Sequence, residues 1–154
     1  MKTKRQIHSP RCRRQRQGFT LMELLAVLSI VAILAALSVP SYQQHVRQAR
    51  RADGQTALLR VAIAQERFRA SCLRYADRVD GTPGCTPGAE SLGLGLSTHS
   101  PDGHYRIDLP SADAGGFLAR AEPIGHQVGD RARGVACNPL TIDQDGRREP
   151  GACW

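Results

Sequence analysis

The most pronounced pattern in the chain is an apolar run from Phe19 to Val39, 21 residues in which Glu23 is the sole ionisable side chain. At a rise of about 1.5 Å per residue, a helix of this length crosses a hydrocarbon core of roughly 30 Å. A charge in the middle of a bilayer costs about 2.5 to 3.5 kcal/mol and less near the headgroups, so we expect Glu23 to have a partner. The pattern therefore predicts a membrane-length helix with one carboxylate near its start.

After the apolar run, the pattern becomes that of an amphipathic helix extending to about residue 75. Pro40 opens this second half, and we predict a kink at Pro40 rather than a stop, because helix-favouring residues continue beyond it. Apolar side chains recur there at three- and four-residue spacing, with arginines mostly between them. They are Leu58, Val61, Ala62, Phe68, Cys72 and Tyr75. This face needs one apolar partner, such as a sheet.

The rest of the chain changes first to turn residues and then to strand patterns. Residues 76–104 are rich in Gly, Pro, Thr, Ser and Asp, with turns predicted at 82–85 and 86–88. Three short strands are then predicted at 105–109, 117–122 and 135–143. Because no helix separates these strands, we expect an α+β fold in which a small antiparallel sheet packs on the amphipathic half of the helix.

Charge is distributed unevenly along the chain. The 154 residues include 21 basic and 14 acidic residues, a formal charge of +7. Residues 1–18 hold seven of the cations and no acid, so the chain from Phe19 onward has 14 of each sign. The basicity therefore belongs to a leader segment and does not by itself indicate a nucleic-acid partner. Because basic residues before a spanning segment stay cytoplasmic, we expect the rest of the chain to face outward.

Apart from Cys12, the chain has four cysteines, an even number that is typical of disulfides in an oxidising compartment. Four cysteines allow three pairings. The sequential pairing, Cys72–Cys85 with Cys137–Cys153, closes the shortest loops and is the one we expect, while the other two stay open. No Cys-x-x-Cys occurs and the histidines are scattered, so we expect neither a metal nor a cofactor.

Three further patterns have ordinary structural explanations. Ser100, Asp102 and His104 are close in sequence, but proximity in sequence does not make a catalytic triad. Asp143-Gln-Asp145-Gly146 resembles half of a calcium loop, yet its glycine comes one position too early, and a turn explains it better. Gly93-Leu-Gly95 lacks the spacing of a phosphate-binding loop. We therefore expect that the protein is not an enzyme.

The N-terminal motif resembles that of type IV prepilins. The resemblance is carried by the basic leader, Gly18, Phe19-Thr-Leu-Met-Glu23, the apolar helix and Pro40, and it extends from residue 11 to about residue 75. The ending from Cys137 to Trp154 resembles that of PilE-like minor pilins, which have a disulfide-closed C-terminal region. Residues 76–134 match this family only in general plan.

The resemblance implies a subunit of a helical filament. It implies cleavage between Gly18 and Phe19 by a prepilin peptidase, N-methylation of Phe19, and assembly with other pilin subunits by machinery in the bacterial inner membrane. Before assembly, the subunit would sit in that membrane with its C-terminal domain in the periplasm, and afterwards in an extracellular pilus. The expected parts are a cleaved leader (1–18), a transmembrane and filament-core half-helix (19–39), an amphipathic half-helix (40–75), a loop (76–104) and a sheet region (105–154).

Cleavage would give Glu23 the partner that it lacks in the precursor. The new amine of Phe19 has a reference pKa of about 7.7 to 8.0 and is mostly cationic at neutral pH. It can therefore neutralise a carboxylate one turn away or on an adjacent subunit, and a mispaired subunit would bury both charges. Phe19, Glu23 and Pro40 are the residues that we expect to carry assembly.

Several functional alternatives remain at this stage. A minor pilin would initiate, enter or modify a pilus used in adhesion, twitching motility or DNA uptake. The competing classes are a major pilin, a type II secretion pseudopilin and a membrane-anchored periplasmic binding module. Residues 47–78 have a local charge of +5, whereas the part from residue 79 has six basic and ten acidic residues, which would suit contacts between subunits. The acidic C-terminal part disfavours DNA as a partner.

Overall fold

The structure, a computed structural model, describes residues 18–85 and 92–154. Within these residues, one long helix, α1, is followed by seven short strands and two 3-10 turns. The elements are α1 (Leu21–Cys72), β1 (Arg78–Pro83), β2 (Tyr105–Ala112), β3 (Phe117–Pro123), η1 (Gly125–Gly129), β4 (Arg131–Ala132), β5 (Val135–Ala136), β6 (Leu140–Asp143), β7 (Arg148–Glu149) and η2 (Gly151–Cys153). The chain forms two units, Met1–Val39 and Pro40–Trp154. The leader up to residue 17 and the turn predicted at 86–88 lie outside the described residues.

In the first unit, α1 begins with a hydrogen-bonded cap. The Thr20 hydroxyl accepts a hydrogen bond from the N–H of Glu23 at 3.2 Å, and the Thr-x-x-Glu spacing is that of a capping box. All side chains from Leu21 to Val39 are exposed, and the helix is long and apolar enough to cross a membrane by length and composition. The hydroxyls of Ser29 and Ser38 donate to carbonyls one turn earlier at 2.8 Å, which satisfies them inside the helix.

In the second unit, α1 continues through Pro40 and packs its predicted apolar face on the sheet. Leu58, Val61 and Phe68 are buried in one cluster with sheet residues. The helix ends at Cys72, three residues before the predicted end, because Leu73 adopts a left-handed conformation with φ 55°. A residue in that conformation cannot continue a right-handed helix.

The main sheet is antiparallel with strand order β2-β3-β6-β7. Along β3, Phe117, Ala119 and Ala121 are buried and alternate with half-buried residues, so one face of the strand meets the core. The pairing of β2 with β3 is irregular between Asp108 and Ser111, close to Pro110, which has no N–H to donate. The predicted α+β fold, a long helix on a small antiparallel sheet, is confirmed.

Two strand predictions differ from the structure. The segment 135–143, predicted as one strand, forms β5 in a separate hairpin with β4 and β6 in the main sheet. The break comes at Pro139, which cannot donate to a ladder, and at Cys137, whose N–H donates to the Asp130 carbonyl at 3.0 Å. The loop predicted at 76–104 contains β1, because the carbonyls of residues 78 and 79 accept hydrogen bonds from the N–H groups of residues 94 and 96.

Two disulfides close the fold. Cys72 bonds to Cys85, with the Cα atoms 5.2 Å apart, and Cys137 bonds to Cys153, with the Cα atoms 5.7 Å apart. The first links the last residue of α1 to the segment after β1. The second links the end of β5 to η2, so the C-terminus is held against the β4–β5 hairpin.

Candidate functional site

The predicted processing residues lie just before α1. Gly18 and Phe19 are not helical, and Phe19 is 86% exposed. Among the described residues other than its chain neighbours, no atom lies within 4 Å of the position that a Cβ on Gly18 would occupy. Glu23 is exposed in the first turn of the helix, where a carboxylate also complements the helix dipole. The pairing of Glu23 with the amine of Phe19 stays a prediction.

Ser100, Asp102 and His104 converge on the buried carboxylate of Asp53 in α1. The Ser100 hydroxyl donates to this carboxylate at 2.5 Å, and the backbone N–H groups of Asp102 and His104 donate to it at 3.1 and 3.3 Å. The Ser100 hydroxyl oxygen in turn accepts a hydrogen bond from the N–H of Tyr105 at 2.9 Å. The imidazole takes no part in these bonds, so the arrangement fastens a loop to the helix and forms no catalytic triad.

Four arginines of the second unit are held in ion pairs with acidic residues of the sheet and loops. The pairs are Arg51 with Asp130, Arg78 with Asp80, Arg106 with Glu122, and Arg120 with Asp108 and Glu122. Arg78 holds the pKa of the Asp80 carboxyl below its usual range through a hydrogen bond. Much of the acidic charge in the C-terminal part is therefore neutralised locally.

Other arginines form an exposed basic surface around the C-terminus. We define the C-terminal basic track as Arg131, Arg133, Arg147, Arg148 and Trp154. The 3-10 turn η2, which precedes Trp154, contacts β4, β5 and β7, the elements that contain or flank these arginines. The Arg148 guanidinium stacks on the Trp154 ring at 5.1 Å from its centroid. None of the ion pairs within residues 18–85 and 92–154 involves an arginine of the track.

A groove extends the track to the beginning of the second unit. It has a volume of about 490 Å³ and is lined by Gln43, Gln44 and Arg47 of α1 and by Arg131 and Arg133 of the hairpin. The acid in the groove lining, Asp130, is buried and already bonded through both oxygens to Arg51, at 2.7 and 2.9 Å. Arg47 donates to the Gly129 carbonyl at 3.2 Å and keeps further donors available.

The pair of Arg51 and Asp130 belongs to a buried network that fixes this surface to the helix. Gln127 donates through its amide nitrogen to the carbonyl of Arg47 at 2.9 Å and to the hydroxyl of Tyr105 at 3.0 Å. Burial raises the pKa of Tyr105 to about 12, so its hydroxyl stays protonated at neutral pH. The partners in this network are up to 80 residues apart in sequence, and no local pattern predicts them.

No metal centre is present in the part of the chain that the structure describes, where no three His, Cys, Asp or Glu side chains are placed to hold an ion. Asp143, which the sequence places in half of a calcium loop, uses one carboxylate oxygen to accept hydrogen bonds from the N–H groups of residues 145 and 147. These bonds form a turn, as predicted from the sequence.

An apolar N-terminal half-helix that continues into an amphipathic half packed on a disulfide-closed antiparallel sheet is the architecture of type IV pilins. The family model described as "Type IV minor pilin ComP, DNA uptake sequence receptor" matches residues 40–141, and the model "Prokaryotic N-terminal methylation motif" matches residues 13–39. Because the first match covers about two thirds of the chain, the protein belongs to this family of type IV minor pilins. The resemblance stated from the sequence is thereby confirmed, and the protein is a subunit that assembles with other pilins.

One solved structure, titled "High-Resolution Structure of a Type IV Pilin from Shewanella oneidensis", is similar in sequence. It is 29% identical, with 70% of this chain and 97% of that chain covered and a TM-score of 0.43. No curated protein matches the chain.

Proposed function

We propose that this minor pilin is a DNA-binding subunit of its pilus and that the C-terminal basic track carries the contact. The observation behind the proposal is the placement of four exposed arginines, none in an ion pair within the described residues, around the half-buried ring of Trp154. Arginines bind phosphate oxygens with several donors each and supply most of the affinity of proteins for DNA. The description of the family as a DNA uptake sequence receptor favours the same ligand.

The count of charges along the sequence disfavours DNA as a partner, but it does not take into account which acidic residues are already bonded in the structure. Counting gives ten acidic and six basic residues from position 79 onward. Four of those acids are bonded to arginines, and Asp113 and Asp143 accept backbone N–H groups in turns. Affinity for DNA depends on the local potential where the duplex docks, and the track has four cations against the two acids of residues 144–154, Asp145 and Glu149.

The experiment is a titration of a fluorescent 20-base-pair duplex with the mature full chain in neutral detergent micelles. Changing Arg131 and Arg147 to Gln removes two phosphate contacts, and we expect binding to weaken about 10-fold or more. The matched control changes Arg60 and Arg67 of α1 to Gln, which removes the same charge elsewhere and leaves binding within about 2-fold. Equal losses in both variants would indicate a general charge effect and contradict the assignment of the track.

We further propose the export and processing route that the motif implies. The leader of seven cations stays cytoplasmic, the second unit crosses to the periplasm, and a prepilin peptidase cleaves between Gly18 and Phe19. The exposure of Phe19 supports access to this bond. Mass spectrometry of the purified protein should find an N-terminus at Phe19 with one added methyl group. An intact Met1 or an N-terminus near Val39 would contradict this route.

The role that we propose is structural and ligand-binding, not catalytic, because pilins act as filament subunits. A type II secretion pseudopilin would share the N-terminal motif, but it would not need an arginine track for DNA. Purified pili separate these alternatives, since a minor pilin is recovered with the filament and a pseudopilin is not.

A further inference from the structure

The turn of the β4–β5 hairpin has a backbone conformation that its amino-acid sequence does not favour. Two residues, Arg133 and Gly134, connect the strands, and their φ angles are 50° and 83°. A two-residue turn with positive φ at both positions is a type I′ turn, which strongly favours Asn, Asp or Gly at the first position. Arginine at that position strains the backbone. Strained residues that persist in a structure are concentrated at functional sites.

The base of the hairpin is held rigidly, so the tip is presented in one orientation. The N–H of Cys137 donates to the carbonyl of Asp130 at 3.0 Å and closes the base. The Asp130 carboxylate is bonded twice to Arg51, and the Arg51 guanidinium also reaches the carbonyl of Arg131 at 3.4 Å. The hairpin is therefore clamped to α1 through buried charge-assisted bonds.

The two-residue turn of the hairpin carries one long side chain, that of Arg133. Arg133 is exposed and is followed by a glycine, while Arg131 at the base donates to the Gly134 carbonyl at 3.3 Å. The minor groove of B-DNA is about 6 Å wide, too narrow for a helix but open to one arginine. Narrow minor grooves of A·T-rich sequences have an enhanced negative potential that attracts an inserted arginine.

We propose that Arg133 inserts into the minor groove of DNA bound on the C-terminal basic track and gives the subunit a preference for A·T-like minor grooves. This inference rests on the DNA-binding function proposed above and adds a residue that determines specificity. Arg131, Arg147 and Arg148 then contact phosphates and hold the duplex without regard to sequence.

Three duplexes with identical flanks test the inference. Their central six base pairs are A·T, G·C or inosine·C. Inosine lacks the amino group that guanine presents in the minor groove, so an inosine·C pair resembles A·T there and G·C in the major groove. The wild-type protein should bind the A·T and inosine·C duplexes about 5- to 30-fold more tightly than the G·C duplex.

Two variants separate specificity from affinity. Arg133→Asn places a residue that suits the type I′ turn, so the fold is retained, and the three affinities should come within about 2-fold of one another. Arg147→Gln changes a residue outside the hairpin, so it should weaken all three duplexes alike and keep the preference.

Three results would overturn the inference without touching DNA binding itself: equal affinities for the wild type, an A·T preference that inosine·C does not share, or a preference that Arg133→Asn retains. Failure of the wild-type protein to bind any duplex would overturn the proposed function as well.

Discussion

Tyr105 joins the helix, the loop before the sheet and the η1 turn at one point. Its side chain is fully buried, its ring lies against the backbone of Gly54, and its hydroxyl accepts a hydrogen bond from Gln127. Its N–H donates to Ser100, which is itself bonded to Asp53. Loss of this one residue would therefore weaken the contacts that hold the helix, the loop and η1 together beneath the basic track.

The raised pKa of Tyr105 makes stability depend on pH at the alkaline end. Because the folded pKa is about 12 and the unfolded value is near 10, the contribution of this residue is fully present below pH 10 and is lost as pH rises toward 12. From Phe19 onward the chain has no lysine, so tyrosines dominate titration in this range. Thermal unfolding between pH 9 and 12 should show a fall in melting temperature that is smaller in Tyr105→Phe. Tyr42→Phe, at an exposed site, should behave like the wild type.

Gly54 shows that a helix-favouring substitution can destabilise. A Cβ at this position would lie 2.8 Å from the Tyr105 ring. Alanine gains about 1 kcal/mol of helix propensity over glycine, but overpacking a core costs about 1 to 3 kcal/mol. We expect Gly54→Ala to lower the free energy of unfolding by up to about 2 kcal/mol in urea titrations. In a Tyr105→Leu background the same change should become neutral or stabilising, and an unchanged loss there would refute the steric explanation.

At the scale of elements, the disulfide-closed end controls the binding surface. The bond between Cys137 and Cys153 spans 16 residues, for which the chain-entropy estimate of stabilisation is about 3 kcal/mol. It holds η2 against the hairpin, and η2 in turn contacts β7 and supports Trp154. The bond between Cys72 and Cys85 spans a similar length but lies at the C-terminal end of α1, whereas the Cys153 carbonyl accepts a hydrogen bond from Gln55 within the helix.

These two disulfides provide a matched pair of variants. Each disulfide is removed by changing both of its cysteines to serine: Cys137 with Cys153 in one variant, and Cys72 with Cys85 in the other. We expect the free energy of unfolding of each variant to fall by about 3 kcal/mol in urea titrations under non-reducing conditions. Only the first pair should also weaken binding of the duplex, because only that bond orders the track. Equal effects on DNA binding would show that the track depends on overall stability alone.

An element could be predicted from the sequence when the residues that form it are close together in the chain, and could not when they are far apart. Helix α1 and strands β2 and β3 have apolar residues that repeat over several turns or alternations, and these local patterns were sufficient to predict the three elements. The separation of β5 from β6 depends on a bond from Cys137 to Asp130, and β1 exists only because residues 92–96 return to it. The pairing of Arg51 with Asp130 joins positions 79 residues apart, so the site it organises could not be found from sequence spacing.

At the scale of the whole molecule, the N-terminal helix and the basic track serve separate steps. The first 21 residues after the proposed cut carry the apolar surface and Glu23, while the track lies entirely between residues 131 and 154. Mutations should therefore be able to impair assembly without impairing ligand binding, and the reverse. Neither the net charge nor the fold alone predicts this separation.

Glu23 is the residue by which assembly is tested. If its carboxylate pairs with the amine of Phe19, Glu23→Val should leave insertion into the membrane intact and reduce the amount of subunit recovered in sheared pili at least several-fold. Leu24→Val, a neighbouring change without charge, should assemble normally. Unchanged recovery of Glu23→Val in pili would contradict the pairing, and loss from the membrane fraction would indicate an insertion role instead.

The most direct test of the central claim is the salt dependence of duplex binding by the mature full chain. With Arg131, Arg147 and Arg148 on phosphates, the logarithm of the binding constant should fall with the logarithm of salt concentration at a slope of about −2.7. Changing Arg131 and Arg147 to Gln should reduce that slope by about 2, while the Arg60 and Arg67 control keeps it. A slope near zero in the wild type, or an equal reduction in both variants, would contradict the account.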